Sequence, residues 1–142
     1  MDETVATYYR KLMKIRFEHF GSLVKPSIFL DSSGEMIYLC GTGNEFMQLF
    51  LNVSENRITD IKYSCFCTPA ANVAVEILCG LLKGKGLDEA EHLSEQALCE
   101  SLGTDDPDFR KKSQGLLELL NRGIIRYREK NGEKPPAKIP LR

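Results

Sequence analysis

From Val5 to about Phe20, Tyr8, Leu12, Ile15 and His19 recur at a spacing of three to four, which predicts an amphipathic helix. Gly21-Ser22 stops it, and Pro26 marks an extended stretch. The period then shortens to two. Ser27–Leu30 and Glu35–Cys40 flank the turn sequence Asp31-Ser32-Ser33-Gly34 and read as strands. Glu45–Val53 puts Met47, Leu49, Leu51 and Val53 on one face, and after the polar turn Ser54–Arg57 the stretch Ile58–Cys65 is again strand-like. From Thr68 the period is helical, with Ala70, Ala74, Ile77 and Leu81 in one stripe and Gly84 and Gly86 ending the helix. Asp88 to about Leu102 predicts a second helix, the stretch Gly103–Phe109 a loop, and Arg110–Glu129 a last helix with Leu116, Leu119, Leu120 and Ile124 inward. The expectation is an α+β fold: an N-terminal helix, a three- to four-stranded antiparallel sheet, then three helices packed on it. Residues 1–130 are expected to form one domain and 131–142, rich in Pro and Lys, a flexible C-terminal tail.

Composition narrows the function classes. The 19 basic and 20 acidic side chains give no electrostatic case for nucleic acid. The absence of a signal-like start or a long apolar run predicts a cytoplasmic protein with no membrane partner. The five cysteines, an odd number, argue for reduced thiols, some of them metal-binding, rather than for a disulfide framework.

The chemistry concentrates where sheet gives way to helix. Thr68-Pro69 reads as an N-cap followed by proline at the first helical position, so Cys67 immediately precedes a helix N-terminus, where the macrodipole favours a thiolate. Cys65 is two residues earlier and shares its strand face. Cys40 is followed by the glycine-containing loop GTGNE, which Glu45 closes with a carboxylate. If these converge, thiolates and a carboxylate suit zinc, cuprous copper or an iron–sulfur cluster. Buried cysteines also serve as small core residues, which is the expectation for Cys79 and Cys99. His19 and His92 are expected on the surface or on helix faces, and Lys83–Gly86 as a C-cap and turn rather than a phosphate loop. A dithiol redox role for Cys65 and Cys67 is the weaker alternative, because a C-x-C disulfide closes a small strained ring.

The run KYSCFCTPAANVAVEILCGLLKGKGLDEA resembles the U-type iron–sulfur cluster assembly scaffolds, the family of IscU and the NifU N-terminal domain. Cys67 stands at that family's helix-start cysteine, and Lys83–Ala90 nearly reproduces its Lys-Gly-Lys-Ser/Thr-Leu-Asp-Glu-Ala motif. CGTGNEFMQLFLNV is similar to its Cys-Gly-Asp and alternating strand, and HFGSL to the segment after its first helix. The resemblance implies a non-enzymatic scaffold or carrier that holds iron or a [2Fe–2S] cluster transiently, served by a cysteine desulfurase and acceptor apo-proteins, with a homodimer among its assembly states. Carried over, the metal ligands are Cys40 and Cys67, joined by Cys65 or Glu45. Thr42 stands where the aspartate would follow Cys-Gly, and Lys111 and Lys112 stand where a His-Cys pair would open the last helix. The chaperone-docking segment has no counterpart. These departures keep a second expectation open: a relative binding zinc, or a partner-binding adaptor without a cluster.

Overall fold

The computed structural model describes residues 2–37, 39 and 45–132. Helix α1 is Glu3–Ile15, and strands β1 (Ile28–Asp31), β2 (Phe46–Ser54) and β3 (Arg57–Phe66) form one antiparallel sheet in that order. Helices α2 (Pro69–Leu82), α3 (Leu87–Glu91), α4 (Glu95–Leu102) and α5 (Pro107–Lys130) follow. The α+β class and the antiparallel sheet agree with the sequence pattern.

Strands β2 and β3 form the hairpin that presents the candidate thiols. Met47, Leu49 and Leu51 face the core on β2, and Ile58, Ile61 and Tyr63 on β3, all fully buried. The two-residue turn Glu55-Asn56 has φ of 52° and 60°, the left-handed pair that matches the twist of a tight hairpin. A bulge at Asn52/Val53 shifts the register before the turn. The KGKG segment locks onto the turn end of this hairpin: Gly84 N–H donates to the Ile58 carbonyl, and Ile58 N–H to that of Lys85, each at 2.8 Å.

Three expectations are corrected. Glu35, Met36 and Ile37 are not strand. Asp31 Oδ1 accepts from Ser33 N–H at 2.9 Å, and main-chain bonds tie Glu35 to Asp31, Met36 to Ser33 and Ile37 to Ser32, so the turn continues where a hairpin was expected. Short polar side chains satisfying nearby backbone groups compete with a ladder in this way. Strand β1 pairs with β2 instead, Ile28 opposite Leu51 and Asp31 opposite Gln48. The expected helix over Asp88–Leu102 is two helices, because Ser94 Oγ accepts from Ala97 N–H at 3.3 Å and starts α4 afresh. Among the described residues, four helices therefore follow the sheet. Lastly, α1 ends at Ile15, which is exposed, and α5 starts at Pro107, capped by Asp106, earlier than its apolar stripe suggested.

Helix α2 is buried almost all round, between α1, α4, α5 and β3. Helix α5 crosses β1 at Gly123, where an added Cβ would lie 2.7 Å from Leu30 Cδ1 and 2.9 Å from Ile28 Cγ2. Gly123→Ala is therefore expected to destabilise the fold by about 1–3 kcal/mol, the usual cost of overpacking, as a lower midpoint in urea unfolding. A similar seat at Gly115 receives Leu39, whose Cδ2 would be 2.4 Å from an added Cβ.

Candidate metal centre

At the start of α2, Thr68 holds an extended backbone and its hydroxyl accepts from Ala71 N–H at 3.4 Å, with Pro69 at the first helical position. Cys67 thus lies immediately before the positive end of the helix dipole, as its sequence context predicts. Its Sγ is 3.2 Å from the carbonyl oxygen of Phe46, the first residue of β2. Phe46 pairs with Phe66, so the ladder ends one residue after Glu45 on one strand and one residue before Cys67 on the other. Cys65, Cys79 and Cys99 are free thiols. Cys67 is disulfide-bonded, contrary to the expectation of reduced thiols throughout, so its thiolate becomes available on reduction.

Cys65 occupies the core face of β3, in line with Ile61 and Tyr63 and opposite Met47, and packs against the core half-buried. Burial, with the nearby charge of Glu76, pushes its thiol up to about 11, which keeps it protonated at neutral pH. Cys79 and Cys99 are buried core residues, as expected.

Lys111 is exposed, whereas Lys112 is largely covered and its Nζ is 3.7 Å from Asp108 Oδ1 one turn earlier. Asp108 and Asp106, with Asp2, line a cavity of about 430 Å³ that also touches Thr68, Pro69 and Ala70. Acidic side chains therefore partly offset the positive charge the lysine pair was expected to bring. Leu39 anchors the chain on α5 at Gly115, one turn beyond these lysines. Cys40 and Thr42 lie outside the described residues, and among the described residues no three Cys, His, Asp or Glu side chains form a metal-binding group.

Sequence reasoning missed a buried polar cluster beneath Cys65. Glu76, on α2, is 5% exposed. Its Oε2 accepts from the His19 backbone N–H at 3.1 Å and from the Tyr63 hydroxyl at 2.9 Å, and its Oε1 is 3.1 Å from His19 Nδ1. The Tyr63 hydroxyl is also 2.8 Å from Asn72 Oδ1. Burial, reinforced by the Glu76 charge, raises the pKa of Tyr63. His19 is thus buried rather than superficial. Tyr63 N–H donates to the His19 carbonyl and Gly21 N–H to that of Tyr63, which binds the segment after α1 to the edge of β3. The signal was present: Glu76 is the only charged residue between Lys62 and Lys83. His92, in contrast, is exposed as expected.

An antiparallel three-stranded sheet feeding a cysteine into the first turn of a buried helix defines the class of domain. The family model described as the NifU-like N-terminal domain matches residues 30–134, and the chain belongs to that family. It is 32% identical over 95 residues to each of two Archaeoglobus fulgidus proteins named iron–sulfur cluster assembly scaffold protein IscU 1 and IscU 2, a match covering 67% of this chain and 60% of each relative. The chain thus spans about three-fifths of the length of these curated relatives. Its fold is similar to that of a NifU-like N-terminal protein from Brucella abortus, with a TM-score of 0.61, 14% identity, and 91% of this chain and 94% of that one covered. A putative scaffold protein for the SUF system from Fervidobacterium islandicum AW-1 gives a TM-score of 0.61 at 13% identity, covering 87% and 96%. Among the described residues no helix is long and apolar enough to cross a membrane.

Proposed function

We propose that this chain is a scaffold that transiently carries a [2Fe–2S] cluster, or its iron and sulfide precursors, as cargo on Cys67 and Cys40, with Glu45 completing the protein's ligand set. The observation that carries this reading is the position of Cys67, at the start of α2 and 3.2 Å from the first carbonyl of β2. There the helix dipole stabilises the thiolate, and the neighbouring strand begins one residue after Glu45, which supports Glu45 as a ligand. The scaffold names of the relatives support the same chemistry. Thr42, Lys111 and Lys112 line the site, a cysteine desulfurase supplies sulfur and an acceptor apo-protein removes the cluster. The cargo undergoes no turnover on this chain, so the protein acts as a carrier and not as an enzyme.

Glu45 is preferred to Cys65 as the third ligand because burial holds the Cys65 thiol protonated. The test is anaerobic reconstitution of reduced protein with ferrous iron and sulfide, followed by desalting and visible absorption. Glu45→Ala is expected to lower cluster retention severalfold, and Cys65→Ser to leave it near the parent level. The reverse order would make Cys65 the ligand; stoichiometric zinc, with no cluster in any variant, would turn the site to zinc binding.

A further inference from the structure

Half of the large apolar side chains that stand exposed among the described residues fall in one short segment: Met13, Ile15, Phe20 and Val24, between 51% and 88% exposed. The stretch Arg10–Lys25 carries five basic residues and one acidic, in a chain whose net charge is −1. Lys14, Arg16 and Lys25 are exposed and make no salt bridge among the described residues. Exposed apolar side chains interspersed with one sign of charge have the composition of a docking face. A second feature lies in the same segment. Arg16 has φ 87° and ψ 154°, a conformation that suits glycine, and Lys25 has φ 52°. Two basic side chains are kept where the backbone disfavours any side chain, and strain of this kind gathers at binding surfaces.

A second copy of this chain is a poor occupant. Its acidic stretch, Asp88–Asp108, has eight acidic residues and no Lys or Arg, but no large apolar side chain stands exposed there to meet the apolar centre. Two copies of the basic face would repel each other. We infer that this face, the end of α1 and the segment to Lys25, docks a different protein whose acidic side chains surround an apolar centre. The inference extends the carrier reading, because Phe20 stacks edge-on against Tyr63 at 5.5 Å, which joins this segment to the strand that ends in Cys65 and leads to Cys67.

The test uses a fluorescein-labelled helical peptide with leucine and phenylalanine along one face and glutamate on the flanks. A twin with lysine for glutamate, and vesicles of phosphatidylglycerol and phosphatidylcholine, run in parallel. The acidic peptide is expected to bind, more weakly as salt is raised, and the lysine twin to fail. Binding is expected to weaken about tenfold in Ile15→Ser/Val24→Ser, in Lys14→Glu and in Arg16→Gly, the last with a raised Tm because glycine relaxes the backbone. Cluster retention in these variants stays at the parent level, so loss of docking and loss of the carrier function are separable. No binding of the acidic peptide, binding that these variants leave unchanged, or vesicle binding that exceeds peptide binding and depends on the same residues would each overturn the inference.

Discussion

Cys67→Ser is expected to remove cluster retention almost entirely while leaving the fold in place under reducing conditions. Serine keeps the volume and the strand geometry before Thr68, but its hydroxyl does not ionise at neutral pH and is a poor ligand for iron. The thiolate it replaces has the position best placed to carry negative charge, against the first turn of α2. Reconstituted protein, desalted anaerobically, should fall at least about tenfold in cluster content, the upper range known for disrupted metal sites being larger still. Circular dichroism and urea unfolding of the reduced variant should match the reduced parent. A variant that keeps its cluster would remove Cys67 from the ligand set.

The largest stability effect is expected at Glu76. Replacing it with alanine leaves the His19 N–H without its buried acceptor, leaves the Tyr63 hydroxyl only Asn72 Oδ1, and strips His19 Nδ1 of its carboxylate partner. Breaking a buried charged network by removing one member costs about 3–5 kcal/mol, a large part of the ~5–15 kcal/mol that holds a domain of this size. Glu76→Gln, which still offers an oxygen to Tyr63, should lose less. Because the cluster also fastens the segment after α1 to β3, hydrogen exchange at Gly21 and Tyr63, whose N–H groups make those bonds, should quicken in Glu76→Ala. Urea unfolding of both variants checks the order, and a loss under about 1 kcal/mol for alanine would show that the network adds little.

The parts of this fold that are written locally were legible. Strict alternation gave β2 and β3, the Thr68-Pro69 pair marked the start of α2, and Leu116, Leu119, Leu120 and Ile124 gave the buried face of α5. What was missed depends on competition or distance. The apolar run Met36-Ile37 reads as strand, yet polar side chains at Asp31 and Ser32 capture the backbone first, and Glu35 is held by Arg122 and Arg126 from a helix some ninety residues away. Those arginines hold the Glu35 carboxyl below its usual range, chiefly through the Arg126 hydrogen bond. The break between α3 and α4 turns on the single serine cap at Ser94. His19 is buried only because Glu76, 57 residues on, is there to receive it. At the candidate site the helix-start thiol could be read from sequence, whereas the core-facing side of Cys65 and the acidic residues around Lys112 required the packing of β3 on α2 and of α5 beside it.

The most direct measurement is metal and acid-labile sulfide analysis, with a visible spectrum, of reduced protein purified anaerobically, before and after reconstitution with iron, sulfide and a cysteine desulfurase. The account predicts iron and sulfide in equal amounts and a sulfide-to-iron absorption band that Cys67→Ser abolishes. Colourless protein that binds zinc, or no metal at all, under the same conditions would contradict it.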